Sequence, residues 1–384
     1  MDQTSEINWK TVLKTGGAFI AFQIGAGFAS GQEAMQYFGT HGGIYPFVLP
    51  IMAGILVAIY CFICFKTGYT YHFQNPNEAY DYYCGPVLGK IINLFTNITI
   101  GLTTLLMFAG CGATVHQYLG TPVWVGAVGI GILSAGVVCL GLEKITNVLG
   151  SCGVLIIGIM AAVGIYTFLT ADQSIMESQK NILKYVEDGL FLQINAFGTN
   201  NPFLTTLSFV GMGLSLVMTF NVSLGSGFHN RKEYAAGSIC CAILFVLGIY
   251  MCLFTMLLNL DYIADKAAMV PMLAAIENAM PFITLPYTIV VCIGIFTTIV
   301  GYLWVIGRRF GGQDGFLRQR LVVILLTVIG ITVGSLIPLD KLVNIIFPIA
   351  GYVGIVLFIC MLAAYARMKN KAPEAQKMNQ SACP

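Results

Sequence analysis

Charge is what this sequence has least of. Only 9% of its 384 residues are Asp, Glu, Lys or Arg, against about 25% in an ordinary soluble domain. Nineteen basic and 17 acidic residues are too few to cover the surface of a water-soluble protein of this length. The net charge of +2 and the lack of a basic run exclude a nucleic-acid partner, because nothing is present to neutralise phosphates. What there is instead is apolar: 57% hydrophobic residues, with 25 Phe and 18 Tyr, a load that excludes disorder. A polytopic membrane protein remains.

The 12 cysteines fall mostly inside apolar runs, where thiols pack as small hydrophobes. The CxxC pair Cys61 and Cys64 sits in the middle of a hydrophobic segment. Metal binding or redox chemistry asks for exposed thiolates with partner ligands, so core packing is the expectation there. The N-terminal residues lack a basic region and a cleavage site, so no signal peptide is expected.

A helix crossing about 30 Å of hydrocarbon needs about 20 apolar residues. Ten runs qualify: 11–38, 44–66, 88–118, 122–141, 145–170, 203–228, 235–260, 281–308, 319–337 and 341–366. An even number of spans puts both termini on one side. With that side cytoplasmic, Lys180, Lys184, Lys266 and Lys341 are outside and the other 15 of 19 Lys and Arg are inside, as the positive-inside rule asks. The expected organisation is a cytoplasmic N-tail (1–10), a first set of five helices (11–170), an extracellular connector (171–202), a second set of five (203–367) and a disordered cytoplasmic tail (368–384). Residues 67–87 read as a short interfacial helix on the cytoplasmic side. The outer segments 171–202, with helical periodicity around Ile182, and 261–280, broken at Pro271, are connectors or lids.

Two spans carry glycine pairs near mid-membrane: Gly25-Ala26-Gly27 in the first and Gly211-Met212-Gly213 in the sixth, flanked by Ser208 and Ser215. Such pairs commonly let helices pack closely. Their placement favours another reading. They lie 186 residues apart, and the third and eighth spans are offset by a similar amount. Ten spans thus divide into two sets of five, and because five is odd the second set is inverted in the membrane. Glycine-interrupted helices at matching places in inverted halves point to the central site of a secondary transporter. Backbone groups freed there must meet a ligand, since lipid cannot satisfy them. The outer half of the first helix aims its N-terminus at the centre, which favours a carboxylate. The glycines of Ser223-Leu224-Gly225-Ser226-Gly227 offer a second, shallower break in the sixth span.

An ion site is expected where Thr297 and Thr298 of the eighth span meet carbonyls of Ala21, Ile24 and Gly294. Neutral hard oxygens of this kind suit Na⁺. Membrane threonines also bond back to their own helix, and that reading stands beside the first. Thr103 and Met107 belong to a mildly polar stripe on the third span, fit to line a pathway or to act as packing glue. Glu33 is the one acidic residue of the first helix. It either snorkels to an outer vestibule, or serves as a gate, a partner for a substrate ammonium, or a proton carrier.

The stretch GAGFASGQE from Gly25 to Glu33, the ten spans and the segment Gly225 to Lys232 resemble the YkvI-type family of bacterial membrane proteins. That family is similar to LeuT-fold transporters of the amino acid–polyamine–organocation superfamily. The resemblance implies an all-α membrane protein with ten transmembrane helices in a five-plus-five inverted repeat, helices one and six broken at mid-membrane. It implies substrate binding by Gly25, Ala26 and Gly27, with Gly211 to Ser215 contributing from the sixth helix. It also implies a sodium site at Ala21, Ile24, Gly294, Thr297 and Thr298.

The expected function is therefore uptake of an amino acid or related small organic solute, coupled to Na⁺, with no organic cofactor. Proton coupling through Glu33 and a solute or ion channel are the alternatives. A channel needs rings of carbonyls or charges, which inverted repeats with midplane breaks supply poorly. An intramembrane enzyme needs a nucleophile and base or a metal cluster, and Glu33 alone among embedded acids does not make one.

Overall fold

In the computed structural model, which describes residues 6–23, 26–73, 77–140, 146–171, 173–311 and 316–380, every one of the ten apolar runs is helical. The first run is in pieces: α1 (Trp9–Gln23), α2 (Ala26–Ser30) and α3 (Gln32–Tyr37). Then follow α4 (Tyr45–Tyr71), the short α5 (Glu78–Cys84), α6 (Pro86–Leu119), α7 (Val123–Leu140), α8 (Thr146–Thr170) and α9 (Ile175–Glu187). The second half holds α10 (Pro202–Gly225), α11 (Arg231–Leu257), α12 (Leu260–Asp265), α13 (Pro271–Ala279), α14 (Thr284–Gly311), α15 (Phe316–Leu336) and α16 (Leu339–Gln380). Among the described residues, seven helices are long and apolar enough to cross a membrane by length and composition. The described residues form no strand beyond one isolated bridge between Ala196 and Thr199.

Local signals set the helix ends. Pro86, Pro202 and Pro271 each open a helix, where a missing N–H costs nothing. Asn201 caps α10 by accepting from the N–H groups of Phe203 and Leu204, and Asn230 caps α11 by accepting from Glu233 N–H at 2.9 Å. Gly120, at φ +69°, closes α6. The connector expected to be polar and partly helical contains α9, and the 261–280 segment is the hairpin of α12 and α13 with Pro271 at its bend. Helical backbone continues to Gln380, through the segment expected to be a disordered tail; its Ala, Glu, Gln, Lys and Met residues are good helix formers.

The packing has the symmetry that the sequence spacing implies. Pair the helices of the two halves in order: α1 with α10, α4 with α11, α6 with α14, α7 with α15, α8 with α16. The larger contacts then have counterparts: α1 packs on α11 as α10 packs on α4, and α1 on α8 as α10 on α16. Likewise α6 packs on α15 as α14 on α7, and α8 on α14 as α16 on α6. Two bodies result. One is α1, α4, α10 and α11; the other is α6, α7, α14 and α15; α8 and α16 lie against both.

Lipid supplies no hydrophobic drive between helices, so close packing at small residues must. A Cβ on Gly68 would stand 1.9 Å from the Val222 carbonyl oxygen, and one on Gly354 would stand 1.7 Å from that of Gly211. These contacts hold α4 and α16 against α10.

Candidate functional site

The first apolar helix is interrupted where its glycines stand. Helix ends at Gln23, resumes for one turn at Ala26, and turns again at Gly31 (φ +84°) before α3. Gly31 has no alternative residue: besides the left-handed backbone, a Cβ there would meet Met256 Sδ at 2.4 Å. Side chains satisfy the backbone groups this shape frees. Tyr287 of α14 donates to the Ala29 carbonyl at 2.6 Å, and Cys252 of α11 reaches the Phe28 carbonyl at 3.9 Å. Ile24 and Gly25 lie outside the described residues; of Ala21, Ala26 and Gly27 only helical backbone is described.

Beside this interruption lies a small cavity with room for about one water molecule. Gln23, Glu33 and Tyr60 form its polar wall, and Gly213 its floor. Phe28, Phe209, Met212 and Phe245 make the apolar wall. The Gln23 amide donates to Tyr60 Oη at 3.3 Å and sits where a Cβ on Gly213 would come within 3.1 Å. Glu33 is only 6% exposed, so it does not snorkel to an outer vestibule.

The sixth span differs from expectation. Helix α10 runs unbroken from Pro202 to Gly225, through Gly211 and Gly213. The physical reason is packing: Gly211 and Ser208 face α16, where a Cβ on Gly211 would stand 2.4 Å from the Gly351 carbonyl oxygen and one on Gly351 would meet Ser208 Oγ at 2.2 Å. The helix ends instead at Gly225, at the shallower glycine cluster. Ser215 bonds back to the Met212 carbonyl at 2.9 Å. Of the expected substrate contacts among the described residues, only Gly213 lines the cavity.

The two threonines of the eighth span both donate to one carbonyl, that of Gly294, at 2.8 Å from Thr297 and 2.9 Å from Thr298. Their lone pairs stay free to accept or to ligate. On α6, Thr103 and Met107 are buried, and Thr103 Oγ1 has no hydrogen-bond partner among the described residues. Helix α2 packs on both α6 and α14. Gln23, Tyr60 and the aromatic wall escaped the sequence reading. Gln23 carried a signal, being a lone amide in an apolar run; Tyr60 carried none.

Both ends of the site are closed by polar groups. At the end that carries the α12–α13 hairpin, Gln32 donates to the Met269 carbonyl of that hairpin at 3.0 Å. Gln36 donates to the Asp340 carbonyl at 3.0 Å, and Asn344 donates to Gln36 Oε1 at 3.2 Å and to the Gln193 carbonyl at 2.9 Å. The Gln193 amide donates to His41 Nδ1 at 3.0 Å, which leaves the ring proton on Nε2. That proton is donated to Thr205 Oγ1 at 2.9 Å, and the Thr205 hydroxyl donates on to the Pro202 carbonyl. Burial pushes the His41 imidazole down to about 4. At the opposite end, buried Glu233 accepts from Asn8 N–H at 3.2 Å and His229 N–H at 2.9 Å, tying the start of α1 to the start of α11.

The fold is shared with known proteins. Among solved structures, a mutant of the Eremococcus coleocola manganese transporter matches 99% of this chain and 92% of its own (14% identity, TM-score 0.55). A Na⁺-coupled sialic acid symporter in a substrate-bound outward-open state matches 91% and 78% (14%, 0.56). The fold is that of LeuT-type transporters. Mhp1, a nucleobase-cation-symport-1 family transporter, matches 87% of this chain and 74% of its own (13%, 0.52). No protein-family model matches the chain. In sequence it is 27% identical over 356 residues to the uncharacterized protein YyaD of Bacillus subtilis, covering 92% of this chain and 97% of that one. It is 21% identical over 355 residues to the uncharacterized membrane protein YkvI of the same organism, covering 91% and 94%.

Proposed function

We propose that the protein is a secondary transporter in the cell membrane, with both termini cytoplasmic, that carries an amino acid or related small organic solute by alternating access. The observation that carries this reading is the doubly interrupted first helix, with Gly31 in the left-handed region, set in a LeuT-type fold between two packed bodies. Gly25, Ala26 and Gly27 are the residues that would meet a carboxylate, and Thr103 and Met107 those that would line the path of a solute. The outer amide lattice and the inner Glu233 contacts close the two ends, which is the state between outward and inward opening. A metal-ion cargo, as named for the Eremococcus coleocola transporter, finds no support: no group of three or more His, Cys, Asp and Glu is placed to hold a metal among the described residues.

The coupling ion is Na⁺, held between α1 and α14 by Ala21, Ile24, Gly294, Thr297 and Thr298, whose oxygens are neutral and hard. A second reading, proton coupling through Glu33, is favoured by the burial of that carboxyl beside the interruption. Uptake of labelled amino acids into proteoliposomes separates the two. A Na⁺ gradient stimulates uptake by the native protein and not by Thr298→Ala. Uptake that ignores Na⁺, follows a pH gradient and is lost in Glu33→Gln establishes the second reading instead.

A further inference from the structure

Two positive charges stand close together at one end of the helix bundle. Lys66 lies near the end of α4 and Arg231 opens α11, and Arg231 is near enough for the two cations to repel. Neither is ion-paired with a carboxylate among the described residues. Glu233, two residues from Arg231, is buried and holds the Asn8 and His229 N–H groups instead. Lys66 is half-buried, with its ammonium over the Tyr365 ring of α16 at 4.6 Å from the centroid. Snorkelling from lipid toward water explains one such lysine. It does not explain a second cation brought beside it. Like charges kept close at the edge of a low-dielectric medium call for an anion.

Aromatic rings enclose the place around them. Helices α11 and α16 both pack on α4. Phe62, one turn from Lys66 on α4, meets a ring on each: Tyr234 of α11 at 5.3 Å between centroids and Tyr365 of α16 at 6.1 Å. Tyr69, on the other side of Lys66, packs on Tyr234 at 5.6 Å. Away from this end, the face of α4 that carries Phe62 and Lys66 continues as Ile59, Ile55 and Ile51, one turn apart and all exposed. Cations among aromatic rings, followed by bare isoleucine down the apolar span, repeat the order of a phospholipid: headgroup, then acyl chain. The positive-inside rule assigns this end to the cytoplasm.

We propose that Lys66 and Arg231 form a site for the phosphate of one anionic phospholipid of the inner leaflet, whose acyl chain lies along Ile59, Ile55 and Ile51. The site goes beyond the function proposed above and does not depend on it. The surrounding rings keep bulk water and salt from Lys66, so a phosphate there is screened less than one on an open surface. A zwitterionic lipid brings its own ammonium and loses the charge advantage. A free phosphate ion lacks the chain that the isoleucine stripe receives. The bound lipid bridges α4 and α11 through their two cations.

The test reads binding, so it stands apart from transport. Purified native protein in maltoside micelles receives phosphatidylglycerol, phosphatidylcholine or inorganic phosphate in steps at constant ionic strength, and the thermal midpoint is followed. Phosphatidylglycerol should raise the midpoint saturably by about 2 °C or more, with little response to the other two. Lys66→Gln and Arg231→Gln should each need about five-fold more phosphatidylglycerol for the same rise, and the double variant about thirty-fold more. Lys66→Arg keeps the charge and should respond as the native protein does. Lys10→Gln combined with Lys14→Gln removes as much charge from exposed positions of α1 at the same end, and should stay within about two-fold of the native response. Any of four results overturns the proposal: a native midpoint indifferent to phosphatidylglycerol, an equal rise with phosphatidylcholine, a rise with inorganic phosphate alone, or a Lys66 and Arg231 double variant weakened no more than the Lys10 and Lys14 one. Solute counterflow that fails while the lipid response survives refutes the transport reading and leaves this site standing.

Discussion

Lowering the pH from 7.5 to 5 removes about 2 kcal/mol of stability through His41 alone. The imidazole is 9% exposed, accepts from Gln193 at Nδ1 and is pushed from the ordinary 6.5 to about 4 by burial. Its folded form therefore binds fewer protons than its unfolded form between these values. Stability is fully present above about pH 6.5 and is lost as the pH falls toward 4. At one pH unit above the folded value, the unfolded state is favoured by a factor of about 30, hence the figure at pH 5. Protonation also forbids Nδ1 from accepting, so the Gln193 contact breaks. The assay is thermal unfolding of the purified protein at both pH values, compared with His41→Asn, whose side chain accepts from Gln193 and does not titrate. The native midpoint should fall by roughly 3 °C more than that of the variant. Equal falls in the two proteins would refute the reasoning.

Other outcomes follow from the same contacts. Gly354→Ala places a methyl group into the Gly211 carbonyl and should cost about 1–3 kcal/mol, whereas Gly136→Ala, with open space around it, should be neutral or stabilising by up to about 1 kcal/mol; thermal unfolding reads both. Glu233→Ala removes the acceptor for Asn8 and His229 N–H groups, so hydrogen exchange at the start of α1 should quicken by about ten-fold or more. Cysteine in place of Lys180 should react with an impermeant maleimide added to intact cells, and cysteine in place of Lys232 only after permeabilisation.

The spans could be read from run length because a membrane helix carries its whole hydrogen-bonding requirement within one apolar segment. The pairing of halves was legible for the same reason: equal spacing survives in the chain. Gly25 to Gly31 announced an interruption because several glycines fall within two turns. The identical argument failed at Gly211 and Gly213, since the backbone of α16 facing Gly211, some 140 residues away, decides that those glycines are for close approach. The cavity was hidden in the same way. Gln23, Tyr60 and Phe245 belong to three helices and meet only once those helices pack. The polar lattice joins His41, Gln193 and Asn344 across turns that hydropathy leaves blank.

Counterflow tests the central claim most directly. Proteoliposomes loaded with a millimolar pool of unlabelled amino acid are diluted into trace labelled amino acid, and entry is timed. A carrier that exposes one site alternately to each side shows entry accelerated by the internal pool, with a transient overshoot, and the account predicts this result. Entry that proceeds at a rate indifferent to the internal pool, as through an open pore, would contradict it.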